Sequence, residues 1–192
     1  MRVIAGKYRS RPLLSLPGAQ LRPTSDRLRE TLFNVLAAWR DLAGSVWIDL
    51  YAGTGAVGIE ALSRGVRQVY FVESSRNAVA LIRKNLENLG ISAGFELMPG
   101  RSQAALRQLA NRGIECDICF LDPPYKLAEE YAASLNLLGN SSLLAASGIA
   151  IAEHDKHFDP GESFGALQRV RKLVQGDAVL SFYQRVNVEN AG

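Results

Sequence analysis

The sequence contains few of the residues that bind metals or form disulfides. Its 192 residues include two cysteines, Cys116 and Cys119, and two histidines, His154 and His157. The cysteines form a C-x-x-C motif inside the apolar segment 116–121, where strand alternation directs the two thiols to opposite faces. No second cysteine pair is present to complete a zinc site. We therefore predict no metal site, and we expect both histidines to lie at the surface.

Long hydrophobic runs are also missing. No stretch approaches the roughly 18 apolar residues of a membrane span, and the start of the chain lacks the apolar core of a signal peptide. Hydrophobic residues nevertheless make up 47% of the chain and charged residues 21%, without low-complexity segments or long runs of like charge. This composition predicts one compact domain in the cytoplasm, folded throughout.

The positive charge is concentrated at the N-terminus. Residues 1–40 contain eight Lys or Arg residues against Asp26 and Glu30, a net charge of +6. Because the whole chain carries +3, residues 41–192 must carry −3. We therefore predict two parts, a basic extension over 1–40 and a core over 41–192. A basic extension is typical of a protein that binds a polyanion, although a solvated basic edge without a partner would have the same charge.

The central part of the chain alternates short apolar runs with amphipathic stretches. Apolar runs that are nearly unbroken suit strands of a sheet covered on both faces, and the stretches between them have helical spacing. This order predicts an α/β fold with a doubly wound, mostly parallel, seven-stranded sheet. The predicted parallel strands are 46–51, 69–72, 95–98, 116–121 and 148–153.

Both ends of the chain depart from this alternation. Near the C-terminus, two apolar segments flank Gly176-Asp177, which predicts a β-hairpin. Near the N-terminus, we predict a short basic strand pair and then a helix capped by Thr24 or Ser25. The apolar stripe predicted for this helix consists of Leu28, Leu32, Val35, Leu36 and Trp39.

A glycine-rich loop follows the first predicted strand. The segment from Asp49 to Gly58 contains G-x-G-x-x-G, and Glu73 ends the next predicted strand. Glycines let backbone amides approach a ligand, and an acidic residue in this position can accept both hydroxyls of a ribose. The pattern therefore predicts a cofactor that contains a nucleoside.

Asp49 favours S-adenosylmethionine over NAD as that cofactor. A dinucleotide places its pyrophosphate at the helix N-terminus, where a neighbouring carboxylate would repel it. S-adenosylmethionine has no phosphate, and its ammonium group could meet Asp49 directly or through water.

The fourth predicted strand ends in Leu121-Asp122-Pro123-Pro124-Tyr125, at the carboxyl edge where such sheets bind ligands. Two prolines stiffen this segment and leave carbonyl oxygens without amide donors, which suits an amine substrate. An exocyclic amine of a base could donate its N–H groups to the Asp122 carboxylate and the Pro123 carbonyl. Tyr125 could stack on the base, which contributes about 1–3 kcal/mol per base. We therefore predict that Asp122, Pro123 and Tyr125 are catalytic.

The two motifs resemble those of class I S-adenosylmethionine-dependent amino-methyltransferases, which have a Rossmann-like fold. Segments 2–13, 22–36, 49–65 and 176–183 together resemble the bacterial 16S ribosomal RNA guanine-N2 methyltransferase family called RsmD. This resemblance runs almost end to end. It implies methyl transfer to guanine N2 in small-subunit ribosomal RNA, which we expect within an assembled subunit, by a monomer that needs no metal.

The resemblance also implies roles for individual residues. It assigns the loop to the cofactor, Glu73 to the ribose, and the Asp122 segment to the target amine. It assigns the basic extension to the RNA or to closing over the site, through Arg22, Thr24, Arg27 and Arg29. The full set of predicted cofactor residues is Asp49, Ala52, Gly53, Thr54, Gly55, Glu73, Ser74 and Ser102. Many related enzymes have an acidic residue after the third strand, and here Ser102 or a backbone carbonyl would replace it.

Several other functions are compatible with parts of the sequence. A DNA adenine-N6 methyltransferase would use the same tetrapeptide, but the interval after Tyr125 is short for a target-reading segment. A protein glutamine methyltransferase more usually has Asn where Asp122 stands. An NAD-dependent oxidoreductase leaves Asp49 and the tetrapeptide unexplained. A non-catalytic RNA-binding module would explain only the basic extension.

Overall fold

The computed structural model describes residues 1–15, 25–124 and 127–186. Contacts group the chain into two compact units, Met1–Ser102 and Gln103–Gly192, which are described in turn. This grouping does not test which segments act as an extension, so the functional boundary at residue 40 stays a prediction. Within the described ranges, no helix combines the length and apolarity needed to cross a membrane.

The first unit contains three parallel strands in the order β3-β2-β1. All five residues of β1 are buried, as expected for a strand covered on both faces. Helix α3 ends at Gly90, which adopts the left-handed conformation (φ 71°) that glycine tolerates best at a helix C-terminus. The elements are α1 (Asp26–Trp39), β1 (Val46–Leu50), α2 (Ala56–Ser63), β2 (Gln68–Glu73), α3 (Arg76–Leu89) and β3 (Phe95–Pro99).

Helix α1 begins as predicted, since the Ser25 side chain accepts a hydrogen bond from the Leu28 N–H. The predicted apolar stripe is buried except for Trp39, which is 39% exposed at the end of the helix. Phe33 is buried in addition and stacks on Trp47 of β1, with ring centroids 5.3 Å apart.

The predicted strand pair at the N-terminus is confirmed as a short antiparallel pairing. A bridge joins Arg2 and Pro12, and hydrogen bonds on both sides of it link residues 1 and 3 to residues 13 and 11. Between the two arms, the backbone N–H groups of Ile4 and Ala5 donate to the Glu60 carboxylate. These bonds attach the N-terminal segment, residues 1–15, to α2.

The second unit combines a parallel strand pair with an antiparallel end. Strands β4 and β5 are parallel, whereas β5 pairs with β8 and β8 with β7 in antiparallel fashion. The predicted hairpin is confirmed, because Gly176 and Asp177 join β7 to β8. The elements are α4 (Ser102–Asn111), β4 (Cys116–Leu121), α5 (Ala128–Gly139), β5 (Leu144–Asp155), β6 (Ser163–Phe164), β7 (Leu167–Gln175) and β8 (Ala178–Arg185).

The predicted α/β class with a mostly parallel sheet is confirmed. The described ranges contain eight strands rather than the expected seven, because the two-residue strand β6 pairs with the start of β7. So short a strand leaves no periodic pattern in the sequence.

Both cysteine thiols are buried in β4, and burial raises the pKa of Cys116 well above its usual range. His157 is exposed as expected, but the expectation for His154 is wrong because its side chain is fully buried. Its Nε2 atom lies 2.9 Å from the Ser181 hydroxyl and its Nδ1 atom 2.9 Å from the Asp155 carbonyl. These partners satisfy the imidazole away from water.

Candidate functional site

The glycine-rich loop between β1 and α2 is held in an unusual backbone conformation. Gly53 and Gly55 have φ angles of 56° and 76°, and Tyr51 has a φ of 60°. Such a conformation costs a bulky residue about 1–3 kcal/mol and is concentrated at functional sites. An added Cβ at Gly53 would find only the Tyr51 carbonyl oxygen, 3.8 Å away, whereas one at Gly58 would overlap the Phe71 ring. The loop therefore leaves open space at Gly53 and packs tightly at Gly58.

Two carboxylates hold this loop in place. The Gly58 N–H donates to Asp49 Oδ2 over 2.9 Å, and the Gly53 N–H donates to Glu73 Oε2 over 2.9 Å. The second Glu73 oxygen accepts from the Ser75 N–H at 2.7 Å. Asp49 is only 1% exposed, whereas Glu73 is partly exposed. Glu73 therefore joins the loop to the end of β2 and still presents carboxylate oxygen to a ligand.

The environment of Asp49 disfavours its ionised form. Burial raises the pKa of Asp49 to about 8, the Gly58 hydrogen bond opposes that rise, and the nearby Glu73 charge adds to it. An unfolded aspartate titrates near pH 3.9. Between these two values the folded protein binds more protons than the unfolded chain, so this group makes stability fall as pH rises.

Replacing Asp49 with asparagine is expected to remove this pH dependence. The asparagine side chain keeps an oxygen for the Gly58 N–H and carries no charge, so the stability of the variant relative to the native protein should increase from pH 5 to pH 8. Urea unfolding of both proteins across this range measures the difference. A constant difference between the two proteins would show that Asp49 stays ionised in the fold.

The residues around the loop fit a nucleoside-containing cofactor. The exposed face of the Glu73 carboxylate can accept ribose hydroxyls, and Gly53 leaves space for the ligand. Of the other predicted cofactor residues, Ala52 is buried, Thr54 is half-buried and Ser74 is exposed beside Glu73. Ser102 is buried at the first turn of α4, and its contact with the cofactor stays a prediction.

The predicted catalytic segment follows β4 in the second unit. Asp122 is half-buried, Pro123 is buried and Pro124 is exposed, while Tyr125 lies outside the described residues. The Tyr131 hydroxyl donates to the Glu153 carbonyl over 2.8 Å and lies 3.5 Å from the Pro123 carbonyl. Since that hydroxyl has one proton and a closer acceptor, the Pro123 oxygen retains capacity for another donor.

The predicted RNA-contacting residues have different environments. Arg22 and Thr24 lie outside the described residues, and Arg27 is exposed on α1. The prediction for Arg29 requires correction, because its side chain is fully buried. Its guanidinium donates to the Arg2 carbonyl and to Asp26, lies 3.9 Å from a Glu60 oxygen, and has a pKa lowered by burial. Arg29 therefore anchors the N-terminal segment and does not present its charge to RNA.

Sequence reasoning missed three polar residues around these motifs, Glu60, Asn85 and Tyr131. Glu60 and Asn85 are buried in helices that pack on the sheet, and each binds backbone groups of the N-terminal segment. Asn85 gave a detectable signal, because it lies three residues after Ile82 and so interrupts the apolar stripe of α3. Tyr131 gave none.

Comparison with known proteins finds relatives whose similarity extends along almost the whole chain. The family model described as conserved hypothetical protein 95 matches residues 1–184. Ribosomal RNA small subunit methyltransferase D of Escherichia coli K12 is 34% identical over 187 residues, which cover 96% of this chain and 90% of that protein. The protein of the same name from Haemophilus influenzae is 36% identical over 159 residues, covering 81% of this chain and 79% of that one.

Solved structures have the same architecture. A hypothetical protein from Thermus thermophilus superposes with a TM-score of 0.82 at 28% sequence identity. The superposition covers 97% of this chain and 99% of that one. The likeness therefore includes both compact units and the N-terminal segment.

Proposed function

The chain belongs to the RsmD family, whose model is described as conserved hypothetical protein 95, and on this premise we propose that it methylates N2 of a guanine in small-subunit ribosomal RNA. The methyl donor is S-adenosylmethionine. The observation that carries the proposal is the 34% identity to the Escherichia coli small-subunit methyltransferase over 96% of this chain.

The glycine loop supports this cofactor over a dinucleotide. A pyrophosphate at the start of α2 would need the free N–H groups of the first helical turn. The N–H of Gly58, the third residue of α2, already donates to Asp49, and that carboxylate is buried beside the helix N-terminus. The ammonium group of S-adenosylmethionine, as an opposite charge beside Asp49, would favour the ionised carboxylate that burial disfavours in the free protein. Glu73 would hold the ribose.

The segment after β4 would hold the target amine. S-adenosylmethionine supplies an electrophilic methyl group when it is bound. The Asp122 carboxylate and the Pro123 carbonyl would accept the two N–H groups of guanine N2, and these bonds would direct the nitrogen lone pair. As the methyl group moves from the sulfonium sulfur to nitrogen and leaves S-adenosylhomocysteine, the Asp122 carboxylate would receive the N–H proton that departs. Tyr125 would stack on the base. Positioning and fixed electrostatics would supply most of the rate, without a metal ion.

The substrate is an assembled small ribosomal subunit in the cytoplasm, and the active enzyme is a monomer. The basic extension is small, so we expect it to need a preformed RNA and protein surface for specific binding. One folded chain contains every motif used in this proposal.

The decisive experiment transfers labelled methyl from S-adenosylmethionine to small subunits isolated from cells that lack this protein. Recovery of the label as N2-methylguanosine is expected. Label in N6-methyladenosine or in protein would contradict the guanine target, and no label beside NAD binding would contradict the cofactor. Equal activity on naked transcript would contradict the assembled substrate.

Binding of the RNA should depend on neutralisation of phosphates. Replacing the exposed Arg27 with alanine is expected to reduce the slope of log affinity against log salt by about 0.7 to 0.9, the contribution of one phosphate contact. The measurement is a titration of small subunits at several salt concentrations. Glu30, exposed on the same helix, provides the control in the Glu30→Gln variant, which should not reduce the slope. An unchanged slope for Arg27→Ala would remove Arg27 from the RNA contact.

A further inference from the structure

Asn85 makes three hydrogen bonds that join two separate parts of the first unit. Its Oδ1 atom accepts from the Leu14 N–H at 2.8 Å, and its Nδ2 atom donates to the Leu14 carbonyl at 3.2 Å. The same Nδ2 atom donates to the Thr54 carbonyl at 3.0 Å. The side chain is on α3 and is 1% exposed. One buried amide therefore holds both the N-terminal segment and the glycine loop.

The contact with Leu14 has the form of a β-bridge. Asn85 forms hydrogen bonds with both backbone polar groups of Leu14, which precedes Arg22 and Thr24 in the sequence. The opposite end of the N-terminal segment also reaches the loop, where the Thr54 hydroxyl lies 3.8 Å from the Met1 sulfur. The N-terminal segment thus contacts Thr54 at one end directly and at the other through Asn85.

Every polar atom of the Asn85 side chain has a backbone partner in this arrangement. The amide offers two N–H donors and one oxygen, and the structure gives partners to all three. A shift of Leu14 would leave buried polar groups without hydrogen-bond partners, which is unfavourable. The position of the N-terminal segment and the position of the Thr54 carbonyl are therefore linked through one side chain.

We propose that Asn85 is a positioning residue that couples docking of the N-terminal segment to binding of S-adenosylmethionine by the glycine loop. The coupling rests on the proposed function, because it assigns the loop to this cofactor. Coupling between two binding events is reciprocal. Cofactor binding must then stabilise the docked N-terminal segment by the same factor by which docking tightens the cofactor.

The first test needs no substitution. Exchange of the Leu14 amide hydrogen, followed by NMR, reports opening of its bond to Asn85. Addition of S-adenosylhomocysteine, the product form of the cofactor, is expected to slow this exchange in the native protein. Unchanged exchange at saturating ligand would overturn the coupling.

The second test replaces Asn85 with leucine, which fills a similar volume without polar groups, and with aspartate, which keeps only the acceptor for the Leu14 N–H. Both variants are expected to bind S-adenosylhomocysteine about tenfold more weakly, within the usual range for coupled sites. Methyl transfer at saturating S-adenosylmethionine should keep the native kcat while the KM for this cofactor rises. Calorimetric titration and steady-state kinetics measure the two quantities.

The control is Leu89→Ala, a buried position one turn after Asn85 at the C-terminal end of α3. It should lower thermal stability and leave cofactor affinity unchanged. Native affinity in both folded Asn85 variants would overturn the inference. Absence of S-adenosylhomocysteine binding by the native protein would instead contradict the proposed cofactor, and the Leu14 exchange rate without ligand would still report whether Asn85 holds the segment.

Discussion

Replacement of Asp122 with alanine is expected to reduce methyl transfer at saturating cofactor by at least about 100-fold, the usual loss when a group that positions or accepts a proton is removed. The proposed role of its carboxylate is to accept an N–H of the target amine and to stabilise the positive charge that develops on nitrogen. Every cofactor residue proposed above precedes residue 103, so affinity for S-adenosylmethionine should be unchanged. Single-turnover transfer and calorimetric titration separate the two effects.

Two further variants sharpen this experiment. Asp122→Asn keeps an oxygen that can accept the N–H and removes the charge, so it should retain part of the activity lost in Asp122→Ala. Asp117, a half-buried carboxylate on the same strand, provides the control in Asp117→Asn, which should keep native activity. Parallel loss of transfer and of cofactor affinity in Asp122→Ala would instead assign Asp122 to the cofactor.

Replacement of Glu60 with alanine is expected to lower the free energy of unfolding by about 3–5 kcal/mol, the cost of leaving a buried charge without its partner. The Glu60 carboxylate is fully buried, pairs with Arg64 at 2.7 Å and lies 3.9 Å from Arg29. It also accepts the backbone N–H groups of Ile4 and Ala5. Its loss would remove the acceptor for two amides as well as one of the two carboxylates beside the buried Arg29 guanidinium.

Urea unfolding measures this loss, with Glu87→Ala as the control at an exposed acidic position on α3. A surface substitution of this kind usually changes stability by less than about 0.5 kcal/mol. The double variant Glu60→Leu with Arg29→Leu should recover part of the loss, because it removes both buried charges together. A Glu60→Ala protein as stable as the native one would show that water or another residue satisfies Arg29.

Much of the fold could be predicted because its signals are local. The unbroken apolar runs located β1 to β5, Ser25 capped α1 through the Leu28 N–H three residues away, and Gly176-Asp177 formed the hairpin turn. Each of these depends on neighbouring residues and on the spacing of apolar side chains. The glycine loop could be found for the same reason.

The attachment of the N-terminal segment to the helices could not be predicted, because its partners are distant in sequence. The short strand pair was predicted, but Ile4 binds a carboxylate 56 positions later and Leu14 an amide 71 positions later. Arg29 was expected at the surface since arginine is rarely buried without a partner. Asp26, three residues earlier, is one partner, but the Arg2 carbonyl and Glu60 are brought to Arg29 by the fold, which no local pattern reveals.

The candidate site likewise combines residues that the sequence identifies with contacts that only the structure reveals. Asp49, Gly53, Glu73 and Asp122 could be identified from residue type and position relative to predicted strands. The bonds from Asp49 and Glu73 to the loop amides, and the role of Asn85 in the first unit, required the structure. Residue type indicates what a side chain can bind, whereas the backbone around it determines what it does bind.

The bonds between the N-terminal segment and helices α2 and α3 also have a consequence during synthesis of the chain. Residues 2–14 leave the ribosome before Glu60, Ser63 and Asn85, which bind their backbone and are made 55 to 71 positions later. Contacts that close such long loops form only after the entropy of closure has been overcome. This part of the nascent protein therefore stays exposed to solvent until α2 and α3 have been made and can bind it.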